Sequence, residues 1–133
     1  MTPSTAERWL EVAHERGTDA NTLKSHERSL AAVYMIGYTV ECTLKALLQR
    51  HGRKVPTSGR EGHDLRSLWE AVGFRLYDIQ GKRRYFIEYW TTDLRYLHSL
   101  PVETDGNALY SGAMELTGYI QKRIRRSKGR RFL

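Results

Sequence analysis

Apolar positions along the chain recur with a helical period almost throughout. In the run LAAVYMIGYTVECTLKALL, residues Leu30, Val33, Ile36, Val40, Leu44 and Leu47 fall three or four apart and trace one stripe on a helix. Ala31, Ala32, Gly37 and Ala46 in the same run leave room for a neighbouring helix to approach closely. The stretch reads as a central helix, capped by Thr22 or Ser25 and continuing to about His51. Upstream, Thr2 and Pro3 suit a helix start, and Trp9, Leu10, Val12 and Ala13 form an apolar side. That first helix is expected to end at about Arg16, stopped by Gly17, with residues 18–21 as a turn.

Beyond the central helix, HGRKVPTSGREG (His51 to Gly62) has the glycines and proline of a loop. A short helix begins at His63 or Asp64, buries Leu65, Leu68, Trp69 and Val72, and stops at Gly73. Residues 74–81 are ambiguous, a turn bringing Phe74, Leu76 and Ile79 towards the core. Phe86, Tyr89, Trp90, Leu94 and Leu97 predict a helix from Lys82 to about Ser99, broken by Pro101. The last helix, capped by Thr104 or Asp105, places Leu109, Ala113, Leu116, Ile120 and Ile124 on one face. No strand-like alternation persists and no internal repeat is found. The pattern predicts an all-α bundle of four main helices plus a short one, with residues 1–124 as one domain and 125–133 as a basic C-terminal tail.

Composition agrees with a folded domain: 133 residues, 40% hydrophobic and 28% charged, exclude a disordered chain. Glu41 and Lys45 interrupt the central apolar run before it reaches the roughly 18 residues that cross a bilayer. The start MTPSTAERWLEV lacks the basic and then apolar pattern of a signal peptide, so no membrane association is expected. The single cysteine, Cys42, fits a reducing compartment, the cytoplasm, and a small buried hydrophobe rather than a nucleophile.

Charge changes the picture more. A net charge of +7 and a pI near 9.8 point to an anionic partner. From Gln121 the chain reads QKRIRRSKGRRFL, with Arg123, Arg125, Arg126, Lys128, Arg130 and Arg131 and no acidic residue. It is either a solvated tail or a contact for nucleic acid or an acidic protein. Lys82, Arg83 and Arg84 precede Tyr85, Tyr89, Trp90 and Tyr96, a mixture that suits RNA phosphates and unpaired bases; the same aromatics also suit a core or a dimer interface. His26 and His51 lack partners at metal-ligand spacing. No C-x-x-C, H-E-x-x-H, phosphate-binding glycine loop or dinucleotide fingerprint occurs, so neither metal nor cofactor is expected.

Three segments together resemble one family. ECTLKALL, Glu41 to Leu48, resembles the E-x-x-L-K-A-L-L signature of HEPN domains. HDLRSL, His63 to Leu68, is similar to their H-D-L-x-x-L element, and WTTDLRYLHSLP followed by ALYSGAMEL is similar to their L-R-Y segment and last helix. The resemblance covers about Leu23 to Ile124 and implies an antiparallel bundle, usually homodimeric. It further implies cytoplasmic proteins, many encoded beside a minimal nucleotidyltransferase in toxin–antitoxin-like pairs. Its implied functions are an RNA- or partner-binding module, a metal-independent endoribonuclease (toxin), or a non-catalytic interaction scaffold.

The ribonuclease branch of that family uses an arginine and a histidine separated by four to six residues, brought together across a dimer interface. This chain has Arg95 and His98 in the matching region, with only Tyr96 and Leu97 between them. Three apart on a helix, they would share a face and a phosphate could bridge them. Otherwise Arg95 pairs with a carboxylate and His98 caps the helix end. Arg8 and His14 have the family's separation but lie in the first helix. His63 and Asp64 are expected to satisfy hydrogen bonds at a helix start, and Glu41 and Lys45 to form a helical ion pair.

Overall fold

Thr5 opens the first helix, its hydroxyl accepting from the Arg8 N–H at 3.2 Å. The computed structural model describes residues 2–57 and 59–130, the backbone alone at 60, 61 and 128–130. The elements run α1 (Ala6–Ser25), α2 (Ser29–Arg50), α3 (Gly59–His63), α4 (Leu65–Ala71), α5 (Gly81–Tyr89) and α6 (Gly106–Arg130). Single 3-10 turns at Leu76–Asp78 and Thr92–Tyr96 bracket α5. No strand occurs among the described residues, and the fold is all-α.

The apolar stripe of α2 is the core. Val33, Ile36, Val40, Leu44 and Leu47 are all buried, with α1 and α6 packed against the helix and α5 against α6. By length and composition α2 could cross a membrane, but 72% of its most apolar window is covered by the other helices, the burial of a core helix. On α6, Leu109, Ala113, Leu116, Ile120 and Ile124 are buried as their spacing requires, and Asp105 is the cap, its Oδ1 accepting from the Ala108 N–H at 3.0 Å. The helix continues past Ile124 to Arg130.

Two helix ends differ from expectation. α1 does not stop at Gly17 but runs to Ser25, so Thr22 and Ser25 lie inside it rather than capping α2. At Gly17 the helices run close: a Cβ there would meet Thr39 Oγ1 at 3.5 Å, and Thr39 donates to the Ala13 carbonyl at 3.1 Å. Packing of that kind outweighs the roughly 1 kcal/mol preference of glycine against helix. The hydroxyls of Thr18, expected in a turn, and of Thr22, expected as a cap, bond back to carbonyls one turn earlier. The chain instead reverses at Glu27, in the left-handed region with φ 59°.

The second difference matters for function. The helix expected over Lys82 to Ser99 ends at Tyr89, because Trp90 takes extended backbone (φ −69°, ψ 131°). Its indole fills the gap over Gly37 on α2, where a Cβ would overlap the ring, and its Nε1 donates to the Tyr34 carbonyl at 3.1 Å. Gly37 therefore admits a tryptophan ring rather than a helix backbone. Thr91 then caps the 3-10 turn, accepting from the Asp93 N–H at 2.8 Å, and the turn carries Leu94 into the core.

Candidate functional site

One turn beyond Gly37, α2 carries a buried charged pair. Lys45 Nζ donates to Glu41 Oε2 at 3.0 Å, with side-chain exposures of only 2% and 4%. The pair spans one turn of α2, and the ammonium also lies 5.1 Å from the centre of the Trp9 ring. The second carboxylate oxygen, Glu41 Oε1, is 3.0 Å from His63 Nδ1, at the junction of α3 and α4. Asp64 sets that junction by capping α4, accepting from the Arg66 N–H at 3.1 Å and the Ser67 hydroxyl at 2.9 Å. A carboxylate only accepts, so Nδ1 carries the hydrogen of this bond.

The imidazole is 39% exposed and borders a cleft of about 820 Å³ that also takes in Asp64, Arg66, Trp90, Asp93 and Arg95. Tyr38 meets the imidazole edge-on, with centroids 6.3 Å apart, and its hydroxyl lies 2.9 Å from that of Tyr34. Burial, and then the hydrogen bond with Tyr34, push the Tyr38 phenol well above its ordinary range, so a neutral ring packs against the imidazole. Next to Glu41, burial first and the carboxylate second push the Cys42 thiol up to about 12, which makes it an inert hydrophobe as expected.

Arg95 stands in the 3-10 turn. Its Nη2 donates to the Tyr96 hydroxyl at 2.9 Å, and the guanidinium lies 4.8 Å over that ring. Hydrogen bonds to Tyr96 and then Tyr34 raise it above its usual value; among the described residues no carboxylate pairs with it. His98 follows the turn in an exposed bend, where no helix end is available for it to cap. Arg95 and His98 thus share no helical face, since α5 has already ended; they do border one cleft of about 650 Å³ with Arg28, Tyr34 and Ser99. His14 lies on α1 and, with Arg125 of α6, lines the groove between those helices.

The basic residues divide into two groups. Lys82 and Arg83 both reach Glu115 on α6, at 2.8 and 2.9 Å, and Arg84 pairs with Glu88 at 3.1 Å. The hydrogen bonds from Lys82 and then Arg83 hold the Glu115 carboxyl below the usual carboxylate range. Two carboxylates thus offset most of the charge of these three cations, and of the aromatics beside them Tyr85 and Tyr89 are half-buried and Trp90 is buried, while Tyr96 is exposed. Arg123 lies 5.1 Å over the Phe74 ring. Arg125 and Arg126 are exposed on α6 and, among the described residues, have no ion pair. Arg131 lies outside the described residues, as do the side chains of Lys128 and Arg130.

The link from Glu41 to His63 spans the loop between α2 and α4 and was not expected from spacing. The signal available was burial: residues 39–48 are all buried, so a charged pair in that stretch had to meet its partners inside.

The described residues form a bundle of helices around one apolar helix, with a polar cleft at the α3–α4 junction. The HEPN domain family model matches residues 6–120, and the chain belongs to that family, whose members are broadly RNA-binding or ribonuclease-like. No curated protein and no solved structure gives a significant match.

Proposed function

We propose that this HEPN domain is an RNA-binding module, acting as a homodimer in the cytoplasm beside a partner such as a minimal nucleotidyltransferase, in a toxin–antitoxin-like system. One observation carries the reading. In a chain of net charge +7, the cations on α5 are paired with Glu88 and Glu115, whereas Arg125 and Arg126 towards the end of α6 have no ion pair among the described residues. Phosphate is the counter-charge such a surface suits. Fluorescence anisotropy with single-stranded RNA, from about 50 to 200 mM salt, tests it. Arg125→Ala with Arg126→Ala should weaken binding at every sequence and lower the log–log salt slope by about 1.4, at roughly 0.7 per phosphate. Salt-independent binding, or a slope unmoved by both changes, refutes the reading. Light scattering tests the dimer, and a strict monomer at assay concentration removes it.

A second reading, a metal-independent ribonuclease using Arg95 and His98, draws support from the cleft both residues border. Loss of RNA cleavage in His98→Ala is its expected result, and retained cleavage counts against it.

A further inference from the structure

We propose that His51, Arg53, Arg123 and Ser127, gathered where α6 passes the end of α2, form a phosphate site of the RNA-binding surface. His51 enters that site as the imidazolium, so RNA binding takes up a proton. The inference rests on the RNA-binding reading and adds to it a place on the fold and a dependence on pH.

Two short stretches of chain supply the four groups. His51 is the C-cap of α2, and Arg53 follows two residues later. Arg123 and Ser127 lie one turn apart on α6, so they share a face. Ser127 Oγ is 3.3 Å from His51 Nε2, which ties the two stretches together. Both guanidiniums are anchored by partners that carry no charge. Arg53 Nη1 donates to the carbonyl of Ala71, the last residue of α4, and Arg123 lies 5.1 Å over the buried Phe74 ring. Ala71 and Phe74 are three residues apart, so one corner of the fold holds both cations. Side chains held in advance lose less freedom when a ligand arrives, and a guanidinium with one N–H engaged keeps the others for phosphate oxygens.

No carboxylate among the described residues pairs with these cations. Of the acids on the helices that meet here, Glu7 of α1 is held by Arg50 at 3.0 Å and Glu70 of α4 by Arg66 at 3.5 Å. Glu115, the one acidic residue of α6, is held by Lys82 and Arg83. Lys54 in the loop and Arg125 and Arg126 on α6 add further positive charge to the same segments. The corner is thus a preformed socket for an anion.

The imidazole makes the socket responsive to pH. Partial burial, and then the charges of Arg53 and Arg123, hold His51 below its ordinary value, so it is neutral in the free protein at neutral pH. A phosphate seated between the two guanidiniums offsets their repulsion and favours the imidazolium. The contact with Ser127 reverses at the same time. Against an unprotonated Nε2 the hydroxyl donates, and its hydrogen is spent on the ring. Once Nε2 carries a proton the ring donates instead, and the hydroxyl hydrogen turns to a phosphate oxygen. Proton and phosphate each favour the other, by the same factor in both directions.

Anisotropy with an oligouridylate bearing hydroxyl ends is the test, because neither uracil nor the phosphodiester changes charge over the range used. At low salt the affinity of wild type should rise about tenfold from about pH 8 to about pH 5.5, the worth of one pKa unit at a single site. In His51→Gln, with circular dichroism unchanged, that gain should shrink to about twofold or less. Arg53→Ala with Arg123→Ala should weaken binding at both pH values. Proton–nitrogen spectra follow the ring directly: the His51 titration should move upward when the oligonucleotide is added, and further than those of His14, His26, His63 and His98. Binding indifferent to pH, a gain that survives in His51→Gln, binding unweakened in the double variant, or a His51 titration unmoved by RNA overturns this inference alone. Protein that binds no RNA at either pH overturns the binding reading as well.

Discussion

Replacing Gly37 with alanine puts a methyl group inside the indole of Trp90, on Cε2 and Nε1. The ring is rigid and 4% exposed, so it cannot swing aside as a flexible chain end could. Overpacking of this kind costs about 1–3 kcal/mol. Displacing the ring also breaks the Nε1 hydrogen bond to the Tyr34 carbonyl, worth about 1 kcal/mol. Against these, alanine is better than glycine in a helix by about 1 kcal/mol. The expected net loss is about 1–3 kcal/mol, or roughly 5–10 °C in melting temperature for a domain of this size. Urea unfolding followed by circular dichroism measures it. The decisive comparison is with Trp90→Ala: in that background the obstacle is gone, and Gly37→Ala should stabilise by about 0.5–1 kcal/mol. A change of equal size and sign in both backgrounds refutes the contact as the cause. So does a Gly37→Ala protein more stable than wild type.

Glu41→Gln leaves the Lys45 ammonium buried without its counter-charge and should destabilise by about 3–5 kcal/mol, while Glu41→Gln with Lys45→Met should recover most of that in the same urea titration. Native Cys42 should resist iodoacetamide at pH 8: a thiol pushed up to about 12 is ionised roughly a thousandfold less than one near 9.0, and mass spectrometry should find label only once urea unfolds the chain. Glu115→Gln releases Lys82 and Arg83 and should tighten RNA binding at low salt, which anisotropy would register as a steeper salt dependence. Because the Glu115 carboxyl is held below its unfolded value, the stability it contributes is present at neutral pH and lost as pH falls through the folded value. Wild type and Glu115→Gln should therefore differ in denaturation midpoint at pH 7 and converge in acid below the usual carboxylate range.

Much of the bundle is legible in residue order alone. The stripes of α2 and α6 follow from spacing because their burial is one-sided along most of their length, and Asp64 and Asp105 reveal themselves as caps by chemistry and position. The ends of α1 and α5 are different: each is decided by a residue far away in the chain. Gly17 stays helical because Thr39 packs beside it, and α5 stops because Trp90 has a glycine-sized space to enter on α2. The 3-10 turn that follows keeps Leu94 at the spacing a continued helix would give, so no break in periodicity betrays it. That hidden break separates Arg95 from His98 as helical neighbours. The site is harder to read still. Glu41 and Lys45 are recognisable as a pair, but the imidazole completing them comes from beyond a glycine-rich loop, and only folding determines which oxygen of Glu41 it meets.

The buried pair on α2 also constrains how this chain can change over time. A single substitution at Glu41 or Lys45 strands one charge in the interior, at a loss comparable with a large part of a domain's whole stability. Paths away from the pair therefore run through a barely folded intermediate, or require both codons to change nearly together. The two residues should consequently be inherited as a unit.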